Sequence, residues 1–340
     1  MKRRRITALV LACAVCLGAL CACGNSHQTA GSGSVEDNGP MTLFLSCKDA
    51  WLTQLQDDCT AAAQASGYTL TTVSAGNDAD KQLEQIREAR TSGESAFLIN
   101  LVDPSRAEEA IEAAGNRKVV FLNRMPTDTS VLDKTHIYVG AEEEEAGTLQ
   151  GNVMAEKCQS EGMKTIRYLL LKGSDSLRSS QQRADAMLEV MEENGFVMKA
   201  VTKPVNGSYS REKAKKNVAA LLAKETIKAE DIDLVIATDD AMALGALSAL
   251  QAANPEKLPM IIGVDGLDDA LDAIHDGTMT MTAFQDGAQQ AETAIAVANN
   301  LNHGYDYDQG ITIADRVDDY IFWTSFQAVT SDNVAKFLES

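Results

Sequence analysis

From Met41 onward, short runs of apolar and β-branched residues alternate with longer stretches in which apolar residues recur at spacings of three and four. A short continuous apolar run suits a strand buried on both faces, and the longer spacing is the apolar stripe of a helix laid on a sheet. Strands are expected at Met41–Ser46, Tyr68–Ser74, Ser95–Leu101 and Lys118–Asn123, with helices at Leu52–Ser66, Lys81–Arg90 and Ser105–Ala114. The alternation then starts afresh, with strands at Ile137–Gly140, Thr165–Leu171, Phe196–Lys203, Leu234–Ala237, Met260–Val264 and Thr280–Phe284. Helices at Glu143–Lys157, Ser180–Glu193, Arg211–Lys224, Ala241–Ala252 and Leu267–Ile274 fall between or beside them. A last helix, Gly287–Leu301, precedes a strand-like tail, Gly310–Phe322. Two consecutive series of this kind predict an α/β protein of two doubly wound, Rossmann-like lobes. Such lobes bind ligands at the carboxyl ends of their strands, so a ligand belongs where the two sets of ends face each other.

Composition narrows the class. The 340 residues, 45% hydrophobic and 23% charged, exceed one ordinary domain and exclude disorder. A formal net charge of -19 disfavours nucleic acid as a partner, because a polyanion is held by a basic stripe that releases counterions. The exception to the pattern is the start of the chain. Lys2-Arg3-Arg4-Arg5 precedes an uncharged, mostly apolar run from Ile6 to Ala22, the layout of a secretory signal. That run is at the short limit for a membrane span. It ends in Leu20-Cys21-Ala22-Cys23, which resembles the bacterial lipobox and makes residues 1–22 a lipoprotein signal peptide and Cys23 the lipidated first residue of the mature chain. Its removal takes four cations and no acid, leaving a mature charge of -23. Residues 23–40, rich in Gly, Ser, Asn and Thr, read as a lipidated flexible tether with a root-mean-square reach of roughly 20 to 25 Å. Cys47, Cys59 and Cys158 are then left over, too few for a disulfide framework and without metal-ligand spacing.

Catalytic signatures are missing from the sequence. No Gly-x-Gly-x-x-Gly follows a strand, and no Walker A, Gly-x-Ser-x-Gly or His-Glu-x-x-His motif occurs. The polar residues instead gather where strands end, in Cys47-Lys48-Asp49-Ala50-Trp51, Asn100 to Pro104, Thr238-Asp239-Asp240, Asp265-Gly266 and Gln285-Asp286. Carboxylates, amides and guanidinium groups satisfy ring hydroxyls, and an aromatic ring covers the C–H face of a sugar. Each aspartate also precedes a helix and can serve as its N-cap. Capping is the main expectation for Asp103 and Asp240, whereas for Asp49, Asp239 and Asp265 the two roles are compatible. The Glu142–Glu145 run opens a helix and reads as a solvated face, and Met242, Met260, Met279 and Met281 read as core.

These segments resemble the bacterial galactose/glucose-binding proteins, within the type I periplasmic sugar-binding family that serves ABC importers. The likeness runs from Leu43 to Phe337. Its most specific stretches are Ile99-Asn100-Leu101-Val102-Asp103-Pro104, Tyr138-Val139-Gly140, Gln150-Gly151, Leu170-Leu171-Lys172-Gly173, Asp240 to Ala246 and Gly263-Val264-Asp265. The resemblance implies that Asp49, Asn100, Arg183 and Asp265 bind sugar hydroxyls and that Trp51 and Tyr209 sandwich the ring. Asp239 and Gln285 stand where the family has asparagines. Leu177 and Ser179 occupy places that normally carry a histidine and an aspartate, which leaves the identity of the sugar open. The family's calcium loop would fall at Cys158-Gln159-Ser160-Glu161-Gly162-Met163-Lys164, whose single carboxylate is too little for an ion that takes six or more oxygens, so no calcium or other cofactor is expected.

The resemblance further implies crossings near Asn123–Arg124, Phe284–Asp286 and Asp318–Trp323. The N-terminal lobe would hold residues 41–124 and 285–320, and the C-terminal lobe 125–284 and 321–340. The expected function is a monomeric, lipid-anchored receptor on the outer face of the cell membrane, closing on a galactose- or glucose-like monosaccharide and presenting it to an ABC permease. A sugar sensor delivering the closed form to a chemoreceptor or sensor kinase keeps the binding and changes the output. A glycosidase using Asp49 and Asp265 is the enzymatic alternative, and a repressor's effector domain is disfavoured by the signal sequence.

Overall fold

The computed structural model describes residues 38–91, 96–174, 177–225 and 227–338. The leader, Cys23 and nearly all of the expected tether lie outside the described residues. The tether's last two residues, Gly39 and Pro40, are already strand, in register with Tyr68 and Thr69.

The chain opens with β1 (Gly39–Leu45), α1 (Ala50–Ala65), β2 (Tyr68–Ser74), α2 (Ala79–Ala89), β3 (Ala96–Ile99), α3 (Ala107–Ala114), β4 (Lys118–Leu122) and β5 (His136–Ala141). It continues with α4 (Glu143–Ser160), β6 (Thr165–Lys172), α5 (Arg178–Glu193), β7 (Val197–Ala200), β8 (Val205–Asn206), α6 (Arg211–Ala223), β9 (Leu234–Ala237), α7 (Asp240–Ala253), β10 (Met260–Asp265), α8 (Asp268–His275) and β11 (Met281–Gln285). Helix α9 (Gly287–His303), the short strands β12 (Arg316–Asp318) and β13 (Ile321–Thr324), and β14 (Phe326–Thr330) complete it. Two seven-stranded sheets result. The first runs β12-β13-β5-β4-β3-β1-β2, and the second β14-β11-β10-β9-β6-β7 with β8 also paired to β6. Among the described strands only β12 and β14 pair antiparallel.

Alternation along each strand supplies two cores per lobe. In β1, Leu43 and Leu45 pack with Leu52 and Leu55 of α1 and Ala294 and Val297 of α9, while Phe44 between them packs with Leu83 and Ile86 of α2. In the second lobe Leu169, Leu171, Val235 and Ile261 meet α6, α7 and α8, and Leu170, Leu234, Ile236 and Ile262 meet α4 and α5. Met242, Met279 and Met281 are buried in these cores, with Met260 packed at their edge.

Two expected lobe boundaries are corrected. Strand β5 pairs with β4 and β13 and so belongs to the first sheet, which extends the first lobe from residue 124 to Ala141. The polar stretch after Arg124 is a loop that returns into the same sheet, pinned by Thr127 N–H donating to the Pro104 carbonyl and by the Asp133–His136 bridge. Likewise β13 lies in the first sheet and β14 in the second, so the third crossing falls at Ser325, later than Asp318–Trp323. The second crossing lies at Asp286, within the expected range. Each crossing is a single residue between two regular elements: Glu142, Asp286 and Ser325. No helix among the described residues is long and apolar enough to cross a membrane.

A ligand cleft between the lobes

A cleft of about 1230 Å³, solvent-open space included, lies between the two sets of strand ends. The first lobe lines it with Asp49, Trp51, Asn123, Arg124, Tyr138 and Trp323, the second with Glu143, Leu177, Ser179, Arg183, Tyr209, Asp239 and Asp265. Eight of the ten residues singled out from the sequence and described here therefore converge on one space, and Leu177 and Ser179 are among them.

Local structure fixes each group. Asp49 ends the β1 turn with extended backbone and caps α1, its Oδ1 accepting from Leu52 N–H at 2.8 Å. The cap sets the direction of the helix and with it the place of Trp51, two residues past the cap and 8% exposed. Asp239 does the same for α7, accepting from Met242 N–H at 2.7 Å. Capping and a place in the cleft thus coincide at both residues. Asp240 does not cap its helix: its carboxylate accepts from Gly266 N–H, Leu267 N–H and Thr282 Oγ1, tying α7 to the turn that carries Asp265. Asp103 caps the short 3₁₀ turn after β3, as expected.

Arg183, buried within α5, is the electrostatic centre. Its Nε donates to Glu143 Oε2 at 2.5 Å, its Nη1 to the Thr238 carbonyl at 2.8 Å and, more distantly, to Asp265 Oδ1 at 3.5 Å, while its guanidinium carbon lies 5.6 Å from the Phe326 ring centre. Burial works against the charged guanidinium, but Glu143 and Asp265 outweigh it and hold its pKa above the usual arginine value. Asp265 is pushed well above the ordinary carboxylate range, by burial first, with Arg183 opposing and Asp239, Asp240 and Asp49 adding repulsion. Burial also lifts Asp239 to about 7, against the Met242 hydrogen bond and with help from Asp49.

Three cleft residues hold left-handed backbone, Asn123 (φ 65°), Tyr209 (φ 55°) and Asp265 (φ 120°). Non-glycine residues in this region cost on the order of 1 to 3 kcal/mol each and persist where surrounding structure imposes them. The Tyr209 ring lies flat on the backbone of Gly173, where an added Cβ would sit 2.0 Å from the ring carbon Cζ. Glycine is required at 173 for Tyr209 to reach the cleft.

Two expected ligand residues do not line it. The Asn100 carboxamide is fully buried and consumed by structure: Oδ1 accepts from Ser46 Oγ at 2.6 Å, and Nδ2 donates to the Leu122 carbonyl at 3.1 Å. Gln285 is buried at the second crossing, its carboxamide without a partner among the described residues. The Glu142–Glu145 run is also not simply a solvated face, since Glu143 pairs with Arg183 and Glu145 Oε2 accepts from Phe326 N–H at 3.0 Å. Sequence reasoning missed Arg124, Tyr138 and Trp323. Arg124 follows β4 as directly as Asp49 follows β1, so the strand-end rule could have found it. Trp323 enters from a late strand, whose neighbour β5 lies far away in sequence.

Residues 43–305 match the family model of the periplasmic binding protein domain. The chain belongs to this family. Among its relatives, the D-galactose/methyl-galactoside binding periplasmic protein of Haemophilus influenzae is 30% identical over 267 residues, covering 76% of this chain and 78% of that protein. The ribose import binding protein of Salmonella typhimurium is 27% identical and covers 77% and 84%. The fold is shared with an ABC transporter solute binding protein from Bacillus halodurans with bound myo-inositol, at a TM-score of 0.74 and 22% identity over 91% of this chain and 99% of that one. A solute binding protein from Clostridium phytofermentans with bound β-D-glucose gives a TM-score of 0.74 at 18% identity, covering 88% and 96%. In this periplasmic binding protein the cleft between the lobes occupies the place that the strand-end rule assigns to a ligand.

Proposed function

We propose that this periplasmic binding protein is the extracytoplasmic, lipid-anchored substrate-binding component of an ABC sugar importer, taking a monosaccharide of galactose or glucose type. The observation that carries the reading is the cleft, where aromatic rings and the Asp49 carboxylate of one lobe face a buried arginine and carboxylates of the other across one space. The names of the galactose-binding and ribose-import relatives support it. Trp51 and Tyr209 cover the C–H faces of the ring, and Asp49, Asp239, Asp265 and Arg183 bind its hydroxyls. Arg124 joins them from the first lobe, the Arg124 guanidinium being steadied by the Leu101 carbonyl at 3.0 Å.

A ligand held by both lobes binds the closed arrangement more tightly and shifts the population towards it. Three single-residue crossings confine that motion to rotation about Glu142, Asp286 and Ser325 while each lobe stays intact. The closed form is what a permease recognises, and Cys23 keeps the monomer at the outer face of the membrane. The protein is a binder and not an enzyme, and aryl glycosides are not turned over. It needs no calcium, so a chelator leaves its melting temperature unchanged.

The test is a thermal-shift panel of hexoses, pentoses, polyols, disaccharides and nucleosides on the purified protein. A ligand at 100 times its dissociation constant stabilises by about 2.7 kcal/mol. A shift with galactose or glucose supports the specific reading, a shift with another sugar retains the receptor and changes its ligand, and no shift with any compound overturns it.

A further inference from the structure

The cleft carries more negative charge than its cations neutralise. Six carboxylates line it, Asp49, Glu142, Glu143, Glu144, Asp239 and Asp265; Glu142 is paired with Arg316 outside the lining, which leaves five against the guanidinium groups of Arg124, Arg178 and Arg183. Arg183 is already engaged by Glu143 and by the Thr238 carbonyl, which leaves Asp265 a single contact at 3.5 Å. Asp239, buried beside it, has no ion-pair partner among the described residues and uses one oxygen to cap α7. An independent feature of the same space is the Trp51 indole. It is more than nine-tenths buried, lines the cleft, and its Nε1–H has no acceptor among the described residues.

A neutral polyol would satisfy the indole but would leave Asp239 and Asp265 as buried charges with too little counter-charge, or oblige them to take up a proton. Both are in fact held above the usual carboxylate range by burial, with each other's repulsion adding at Asp265. An ammonium group placed between them would remove that conflict, with three N–H donors for oxygens that have no protein donor.

We propose that the cleft takes a hydroxylated ring bearing a protonated amine, an amino sugar or amino-cyclitol, with its ammonium seated between Asp239 and Asp265 and a ring oxygen accepting from Trp51 Nε1–H. This rests on the sugar-receptor reading and narrows its ligand class. The test is calorimetric titration of the purified protein at neutral pH with glucosamine, galactosamine, mannosamine and amino-deoxy-inositol, each against its parent alcohol, the hexosamines also against their N-acetyl forms. At least one amine is expected to bind about tenfold or more tightly than its neutral counterparts. In Asp239→Asn, which retains a good helix cap, the amine-to-alcohol affinity ratio is expected to fall by about tenfold. A parent alcohol or N-acetyl form bound as tightly as the amine overturns the proposal and leaves the sugar receptor standing. An unchanged ratio in Asp239→Asn overturns the assigned seat, and no binding by any compound overturns both readings.

Discussion

Arg183 shows how one side chain can serve binding and folding together. It holds α5 to the Thr238 strand end and to Glu143 at the start of α4, and it does so while nearly dry. Breaking a buried pair by removing one partner typically costs about 3 to 5 kcal/mol, because the other charge stays buried without compensation. Arg183→Leu is therefore expected to lose ligand binding and to lower the unfolding free energy measured by urea denaturation by an amount in that range. The buried aspartates act in the opposite sense. Burial lifts Asp239 and Asp240 from 3.8 to about 7. Between roughly pH 4 and pH 7 the folded chain therefore holds protons that the unfolded chain has released, and stability falls as pH rises through that window. The melting temperature should be higher near pH 5 than near pH 8, and a rising curve over that interval would contradict the assignment. Asp233, which the Arg167 hydrogen bonds hold below the usual range against burial, contributes its dependence at lower pH and does not mask this window.

At the scale of elements, the close approach of α4 and α5 depends on glycine. A Cβ on Gly147 would sit 2.2 Å from the Arg183 carbonyl oxygen, a backbone atom that cannot swing aside. Gly147→Ala should thus separate the two helices just where α5 carries Arg183 into the cleft. The expected cost is about 1 to 3 kcal/mol in unfolding free energy, together with weaker ligand binding. A variant as stable as the parent, with full affinity, would show that the helices tolerate a wider spacing.

For the whole molecule, the chain's two tryptophans, Trp51 and Trp323, both line the cleft. Intrinsic tryptophan emission consequently reports the site alone, and ligand binding should change it without an added label. Trp51→Phe should remove most of the change if the ligand stacks on Trp51, with Trp323→Phe removing the part due to closure near the third crossing. Ligand addition should also lower the radius of gyration in small-angle scattering, since closure about the three crossings brings the lobes together. An unchanged radius with bound ligand would mean that the cleft is already shut.

The alternation of apolar runs and helical stripes was enough to predict two doubly wound lobes, because burial on both sheet faces imposes that pattern on each strand locally. Strand ends and caps, which are local features, were also enough to bring Asp49, Trp51, Asp239 and Asp265 under suspicion, whereas Arg183 and Tyr209 were implied only by the family resemblance. What only the tertiary structure decided was pairing. Strand β5 joins the first sheet because it pairs with β4 on one side and with β13, from far later in the chain, on the other, and nothing within β5 encodes those partners. The same holds for Asn100, whose carboxamide looks available in the sequence but is taken up by Ser46 and the Leu122 carbonyl once β1, β3 and β4 lie side by side. Trp323 is the converse case. An unremarkable tail residue becomes a wall of the cleft because β13 is added beside β5. Local composition specifies which elements form, while long-range hydrogen bonding between strands decides which side chains meet.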